Sequence, residues 1–262
     1  MNETARRASR FPLRLDQVAP PHESGAGRSS VGTDSRATPA GLGMDSDEFR
    51  LRMVRRLREG GVSHPGVLNA MTAIRRHDFL DAALAAQAYE DTSLPIGHGQ
   101  TISKPSVVAR MIELLFGGAS ARSPVSLGRV LEIGTGCGYQ AAVLARLGSS
   151  VVSIERVKPL HDRARKLLCG VRRDNVRLVF GDGMLGHLPN APYDTIIAAA
   201  GGENVPPAWL EQLAPLGRLV VPSRQPGAQG QVLLIVDKTE QGIVQTLCEA
   251  VHFVPLKSGV VG

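Results

Sequence analysis

The chain has 262 residues with 43% hydrophobic and 4% aromatic side chains, a composition typical of one globular domain with appendages. No segment reaches the roughly 20 continuous apolar residues of a membrane-spanning helix, and the cysteines Cys137, Cys169 and Cys248 form no CxxC pair. We therefore expect a cytoplasmic protein without a membrane partner, a disulfide framework or a zinc site. The net charge of +6 is scattered and lacks neighbouring aromatics, which favours a cationic surface over nucleic-acid binding.

Residues 1–43 are rich in Gly, Pro, Ser, Thr and Arg and show no apolar periodicity. Such a composition cannot bury enough apolar surface to fold, so we expect a disordered extension. The Arg-rich, acid-poor start slightly resembles a transit peptide, and a start site misassigned upstream of Met44 explains the segment equally well. A secretory signal is not expected because no apolar core follows the first charges. The folded domain is therefore expected to cover residues 44–262.

Helical periodicity dominates the first part of this domain, residues 44–118. A helix is predicted from Asp45 to a stop at Gly60-Gly61, a second begins at Pro65, and LDAALAAQAYED favours a short third. The first helix is expected to place three apolar residues on one face: Phe49, Met53 and Leu57.

The stretch LPIGHGQTISKP, residues 94–105, joins a glycine-containing loop to a helix predicted over 105–116. The free N–H groups of a helix start attract anions, and the hydroxyls of Thr101 and Ser103 lie beside it. This segment is therefore a candidate site for a carboxylate. Ser103 could equally be no more than the N-cap of the helix, or it could serve both roles.

From residue 129 onwards, short apolar strands alternate with helices. This pattern predicts an α/β fold with a doubly wound, Rossmann-like parallel sheet, and QVLLIVDK and GIVQTLCEAVHFVP add two or three antiparallel strands at its edge. The segment VLEIGTGCGYQ has a glycine turn between a strand and a helix, where a nucleoside can approach the main chain. Its glycines are Gly134, Gly136 and Gly138.

Two cofactors compete for this turn, a dinucleotide and S-adenosyl-L-methionine. The spacing is G-x-G-x-G, and the carboxylate of Glu132 would repel a pyrophosphate but suit a cofactor with an ammonium and a sulfonium. Glu155 ends the next strand and is placed to bind ribose hydroxyls in either case. Asp182, after Gly181 at the end of the third strand, is placed to bind an adenine amino group. Together these residues favour S-adenosyl-L-methionine.

The methyl acceptor is not marked by a known activating motif. The fourth strand ends AAAGGENVPP without an Asn/Asp-Pro-Pro-aromatic loop, no cysteine follows a proline, and the seven dispersed histidines suggest no metal site. A carboxylate needs no activation because it is already ionised at neutral pH. Catalysis would then consist mainly of holding it in line with the methyl group.

The segments AYEDTSLPIGHGQTISKPSVVARMIELL, RVLEIGTGCGYQAAVLARLG and NVRLVFGDG closely resemble protein-L-isoaspartate O-methyltransferases of the bacterial type. The resemblance covers nearly all of residues 44–256, and PIGxGQTIS is its most specific part. It implies methylation of the α-carboxylate of L-isoaspartyl residues in damaged proteins, after which the ester closes to a succinimide without an enzyme. It also implies that residues 44–118 form the substrate side and that Ser103 is the active-site residue. The cofactor contacts it implies are Thr101, Ser103, Gly134, Thr135, Gly136, Glu155, Gly181 and Asp182.

Three departures from the family pattern stand out. Lys104 replaces the usual Gln or Ala and is expected to strengthen attraction of an anion. The turn Gly201–Asn204 replaces an Ala-Pro-Pro-Glu-like sequence and is expected to be more mobile, and Lys257 stands where some relatives have a cofactor-contacting Thr. We expect a monomer that acts on isoaspartyl proteins. The alternatives are an RNA or small-molecule methyltransferase on the same scaffold, and a module that binds the cofactor without chemistry.

Overall fold

The computed structural model describes residues 45–120, 126–171, 174–224 and 230–262. Residues 1–43, for which a disordered extension is expected, lie outside these ranges. Within them, the first elements are three helices and a two-stranded hairpin. These elements are α1 (Asp45–Glu59), α2 (Pro65–Ala73), β1 (Leu94–Gly97), β2 (Gln100–Ile102) and α3 (Pro105–Phe116).

One sheet of seven strands forms the centre of the described part of the chain, in the order β5-β4-β3-β6-β7-β8-β9. Strands β3 to β7 are parallel and β8 and β9 are antiparallel, as the alternation of strands and helices predicted. The strands are β3 (Arg129–Ile133), β4 (Ser150–Glu155), β5 (Val176–Phe180), β6 (Tyr193–Ala198), β7 (Leu213–Ser223), β8 (Gln231–Thr239) and β9 (Gly242–Val251). The helices between them are α4 (Tyr139–Leu144), α5 (Lys158–Val171) and α6 (Pro207–Gln212).

Both faces of the parallel part of this sheet are covered by apolar side chains, as a parallel sheet requires, whereas the edge strand β9 is largely exposed. One core cluster joins the sheet to residues of α1 to α5, and the other includes the fully buried Trp209 of α6. The Trp209 indole N–H donates to the carbonyl of Gly183 at 2.8 Å, which ties α6 to the loop after β5. None of the helices in the described ranges is long and apolar enough to cross a membrane.

The helical region differs from its sequence prediction in two details. Met53 and Leu57 are buried as predicted, but Phe49 is 40% exposed, and the Arg52 guanidinium lies 5.3 Å from its ring centre. The predicted third helix is a 3₁₀ helix, Ala82–Gln87, preceded by another at Arg76–Phe79. The predicted end of α1 at Gly60 and the predicted span of α3 are confirmed.

Candidate active site

A cavity of about 340 Å³ opens where the carboxyl ends of β3, β4 and β6 meet. This is the edge at which open α/β sheets bind ligands, and the volume lies in the range of small-molecule sites. The cavity is lined mainly by four parts of the chain: the hairpin and its exit, the glycine turn with the start of α4, the end of β4 with the loop after it, and the C-terminal segment. In that order, their lining residues are Ile96, His98 and Gln100 to Ser103; Ile133 to Cys137, Tyr139 and Gln140; Ile154 to Val157; and Val254 to Lys257 and Val261. Val108, Gly183, Ala199 and Ala200 complete the lining.

The glycine turn supplies one side of the cavity. Gly134, Gly136 and Gly138 have φ angles of 90°, 57° and 92°, a left-handed conformation that favours glycine. A Cβ on Gly136 would lie 3.2 Å from Ile96, and one on Gly138 would lie 3.2 Å from Leu168. The turn therefore needs glycine for its backbone geometry and for close packing. Of the three glycines, Gly134 and Gly136 line the cavity, as does Thr135.

Glu155 presents a buried carboxylate beside this turn, with 5% of its surface exposed. One oxygen accepts the N–H of Gly136 at 2.8 Å and the other accepts the N–H of Val157 at 2.9 Å. Each oxygen can still accept from one further donor, because a carboxylate has about four acceptor positions. The carboxylate is therefore fixed in place with capacity left for vicinal hydroxyls, as a ribose requires.

Glu132 is not a cavity residue, and this corrects the charge argument made from the sequence. It lies opposite Ser153 in the β3–β4 register, has no exposed surface, and accepts a hydrogen bond from the Ser153 hydroxyl through Oε2. Burial raises the pKa of Glu132 to about 8, partly offset by the Ser153 hydrogen bond. The side chain is thus largely uncharged at neutral pH, because β3 is covered on both faces.

Gln140 lines the cavity near this buried carboxyl, and no sequence pattern pointed to it. A hydrogen bond from its side chain lowers the pKa of Glu132 and so partly offsets the effect of burial. Gln140 therefore connects the cavity wall to the buried carboxyl behind it.

Gly181 and Asp182 lie beside the cavity but do not line it, whereas the next residue, Gly183, does. One oxygen of Asp182 accepts the N–H of Met184 at 2.9 Å, and the other accepts the N–H of Gly259 at 2.6 Å. The Asp182 carboxylate thus connects the end of β5 to the C-terminal segment. Its placement for an adenine amino group stays a prediction.

Thr101 and Ser103 both line the cavity, at the exit of the hairpin formed by β1 and β2. The Ser103 hydroxyl has no hydrogen-bond partner among the described residues, and Lys104, not Ser103, occupies the N-cap position of α3. The reading of Ser103 as a simple N-cap is therefore wrong. Its hydroxyl is available to a ligand.

The N-terminus of α3 is already occupied by an acidic side chain that the sequence reasoning missed. Asp91 accepts the Ser106 backbone N–H at 2.8 Å through one oxygen and the Ser106 hydroxyl at 2.8 Å through the other. The Lys104 ammonium lies 3.9 Å from the same carboxylate. The helix start is therefore not a free anion site, because Asp91 binds there and Lys104 faces it.

The C-terminal segment after β9 forms the remaining side of the cavity. Gly201 donates its N–H to Val254 at 3.0 Å and accepts the Leu256 N–H at 2.8 Å. A Cβ on Gly201 would lie 2.9 Å from the backbone oxygen of Pro222, so the position needs glycine. These hydrogen bonds join Gly201 to the C-terminal segment, and the greater mobility expected of Gly201–Asn204 stays a prediction.

These residues fit a nucleoside cofactor such as S-adenosyl-L-methionine. Glu155 has acceptor capacity for ribose hydroxyls, and the glycine turn leaves the main chain accessible. Within the described ranges, no group of three His, Cys, Asp or Glu side chains could hold a metal ion.

Comparisons with known proteins agree on one family. The sequence profile of the protein-L-isoaspartate(D-aspartate) O-methyltransferase family matches residues 49–261. A protein-L-isoaspartate O-methyltransferase from Methylibium petroleiphilum is 56% identical over 272 aligned positions, which cover 99% of each chain. One from Leptothrix cholodnii is 59% identical over 249 positions, covering 94% of this chain and 86% of the relative.

Two solved structures are also similar to this chain. A structure named protein-L-isoaspartate O-methyltransferase matches with a TM-score of 0.71 and 29% identity, over 80% of this chain and 67% of that one. A Plasmodium falciparum structure in complex with S-adenosyl-L-homocysteine matches with a TM-score of 0.68 and 23% identity, over 79% of this chain and 98% of that one. The second likeness shows a shared fold.

Proposed function

Because the chain belongs to the protein-L-isoaspartate(D-aspartate) O-methyltransferase family, we propose that the cavity described above is its active site. The enzyme transfers a methyl group from S-adenosyl-L-methionine to the free α-carboxylate of L-isoaspartyl residues in damaged proteins. The ester then loses methanol as the neighbouring backbone nitrogen attacks it, and the resulting succinimide reopens in part as a normal aspartyl residue. The reaction therefore begins protein repair.

In this proposal the cofactor is held mainly by Glu155 and by the backbone of the glycine turn, residues 134–136. The buried Glu155 carboxylate accepts the two ribose hydroxyls, at the acceptor positions that its two backbone N–H donors leave free. Gly181 and Asp182 serve the adenine side. S-adenosyl-L-methionine supplies an electrophilic methyl carbon bonded to a sulfonium.

The chain's contribution to the methyl transfer is placement and exclusion of water. The substrate carboxylate is ionised at neutral pH, so one of its oxygens would accept the methyl group that the bound cofactor supplies, without loss of a proton. The Ser103 hydroxyl donates to the other carboxylate oxygen, and Thr101 lines the same approach. Holding the reacting atoms in line is worth several kcal/mol in such reactions.

One observation supports this role most directly: Ser103 lines the cavity that Glu155 also lines, and its hydroxyl has no partner in the described part of the chain. The competing anion site, the start of α3, is filled by Asp91. A substrate carboxylate entering the cavity therefore meets the Ser103 hydroxyl as its available donor in this segment.

We expect Ser103→Ala to lower kcat on an isoaspartyl peptide by about 10- to 100-fold, the scale of a lost hydrogen bond to a charged group. The affinity for S-adenosyl-L-methionine should change by less than about threefold. The assay follows tritiated methyl transfer to the isoaspartyl peptide and to its aspartyl twin, with calorimetry for the cofactor.

Ser103→Thr, which keeps a hydroxyl, should retain much of the turnover, and the exposed Ser149→Ala is the matched control outside the cavity. Unchanged kcat in Ser103→Ala would remove Ser103 from the mechanism. Methylation of RNA with none on the isoaspartyl peptide would reject the assignment as a whole.

We also propose that residues 44–262 work as one methyltransferase domain whose residues 44–118 form the substrate side, and that the enzyme is a cytoplasmic monomer that needs no nucleic acid. The contribution of the hairpin, Thr101 and Ser103 to the cavity supports the first point. Light scattering of the purified chain tests the second, since a dimer that persists at assay concentration would contradict it.

A further inference from the structure

Besides Cys137 and Tyr139, whose pKa values are raised by burial, four ionisable side chains line the cavity: His98, Glu155, Arg156 and Lys257. The Glu155 oxygens are bound to backbone N–H groups. The Arg156 guanidinium donates to the carbonyls of Gly259 at 2.8 Å and Ser258 at 3.1 Å. Lys257 is exposed and forms no ion pair with any of the described residues. Its ammonium is therefore the cation at this cavity that is left free for a ligand.

The backbone around Lys257 is fixed on both sides. Before it, Leu256 donates to the carbonyl of Gly201 at 2.8 Å. After it, Ser258 and Gly259 accept from Arg156, and the Gly259 N–H binds Asp182 at 2.6 Å. Lys257 is thus held at the rim of the cavity by its two neighbours, while its side chain stays free.

We propose that Lys257 determines specificity by attracting the anionic carboxylate of the isoaspartyl substrate from the rim into the cavity, before that carboxylate reaches Ser103. This inference rests on the proposed function. The acceptor enters as an anion and leaves as a neutral ester, so a cation at the rim attracts the substrate but not the product. The charge thereby favours unmethylated chains and assists exchange of product for substrate.

The magnitude of the effect follows from the exposure of Lys257. An exposed ion pair is weakened by water and by salt, so its contribution is moderate and depends on ionic strength. The contact acts on binding and not on the in-line geometry. It should therefore appear in KM for the peptide and leave kcat nearly unchanged.

The test compares Lys257→Met, which keeps the length of the side chain, with Lys257→Arg, which keeps its charge. We expect Lys257→Met to raise KM for an isoaspartyl peptide about three- to fivefold, the scale of an exposed ion pair, with kcat within about twofold of the wild type. Lys257→Arg should stay close to the wild type. The matched control is Lys166→Met, which removes the same charge from an exposed position on α5.

Salt dependence separates an electrostatic role from a structural one. Raising the salt concentration to about 0.2 M should increase KM of the wild type and of Lys166→Met, and should increase KM of Lys257→Met much less. Thermal melting checks that all four proteins are equally folded.

Three outcomes would overturn the inference. One is an unchanged peptide KM in Lys257→Met, another is an equal salt dependence in Lys257→Met and the wild type, and the third is a loss confined to KM for S-adenosyl-L-methionine, which would assign Lys257 to the cofactor. If instead the wild type failed to methylate the isoaspartyl peptide, the proposed function itself would fail, and this inference with it.

Discussion

The two sides of the cavity are built in different ways. The cofactor wall, residues 133–136 and 154–157, consists of the ends of two adjacent paired strands, and its turn is held by backbone hydrogen bonds from Gly134 and Thr135 to the carbonyl of Ile154 at 2.9 and 3.1 Å. The closing wall, residues 94–103 and 254–261, comes from two segments far apart in sequence. Backbone hydrogen bonds from Val261 to Arg156 at 2.7 Å and from Lys158 to Val261 at 2.9 Å attach its C-terminal part. A side-chain hydrogen bond from Arg163 of α5 to the carbonyl of Ile96 at 3.3 Å attaches the hairpin.

This difference indicates that the two walls have different functions, one in binding the cofactor and the other in binding the peptide. A wall made of strand ends and glycine backbone has its geometry fixed by the fold, which suits a cofactor that is always the same. A wall formed by segments outside the central sheet can differ in charge and shape without disturbing the sheet, and it is the wall that contains Ser103 and Lys257. We therefore expect substitutions in the cofactor wall to alter cofactor affinity and those in the closing wall to alter use of the peptide.

The largest effect should come from the cofactor wall itself. Glu155→Ala removes the buried carboxylate that fixes Gly136 and Val157, and we expect it to weaken S-adenosyl-L-methionine binding by about 1.5 to 3 kcal/mol, the scale of hydrogen bonds to a charged group. Calorimetry with S-adenosyl-L-homocysteine measures this loss.

If the two walls act independently, KM for the peptide should stay nearly constant in Glu155→Ala at saturating cofactor. Glu155→Gln, which keeps one acceptor, should lose less affinity than Glu155→Ala. Equal cofactor affinity in Glu155→Ala and the wild type would remove Glu155 from the site.

The same division explains what the sequence could and could not predict. The positions of the strands and the glycine turn follow from local patterns, namely apolar runs of strand length and glycines between a strand and a helix. The contact of the C-terminal segment with the end of β4 joins Val261 to Arg156 and Lys158, and no local pattern encodes such a long-range pairing. The Asp91–Ser106 cap was missed for the same reason, because the carboxylate lies on a separate segment before the hairpin.

Glu132 shows a different limit of sequence reading. Its position before the glycine turn suggested a charged group in the site, but the strand bearing it is covered on both faces and burial raises its pKa to about 8. A pattern of residue types does not reveal the degree of burial on which that protonation state depends.

A second test therefore concerns the pH dependence of the free energy of unfolding, to which the Glu132 carboxyl buried behind the cofactor wall contributes. The folded state holds a proton on Glu132 up to about pH 8, whereas the unfolded chain releases it near the ordinary carboxyl range. Unfolding thus releases a proton, and stability should fall as pH rises through the interval between the two values. The slope is about 1.4 kcal/mol per pH unit, so we expect a loss of about 2 kcal/mol between pH 6 and pH 8.

Urea unfolding at pH 6, 7 and 8 measures this loss. Glu132→Gln is neutral at every pH and can still accept a hydrogen bond from Ser153. Over the same pH interval it should lose about 2 kcal/mol less of the free energy of unfolding than the wild type does. The exposed Glu203→Gln is the control for a lost surface charge and should follow the wild type. Parallel curves for the wild type and Glu132→Gln would contradict a buried, protonated carboxyl.

The smallest expected effect tests whether the closing wall depends on the cap of α3. Asp91→Ala removes both hydrogen bonds to Ser106, and we expect a loss of about 1 kcal/mol in the free energy of unfolding, the usual value of a helix cap. Because Ser103 lies three residues before Ser106, kcat on the isoaspartyl peptide should fall as well, while cofactor affinity stays near the wild-type value. Asp91→Asn, which can bind both groups of Ser106 without the charge, should recover most of the stability and of the turnover.

If Asp91→Asn regained stability but not kcat, the charge itself would matter to the substrate. If Asp91→Ala weakened cofactor binding as much as Glu155→Ala does, the two walls would not be independent and the division of work between them would fail.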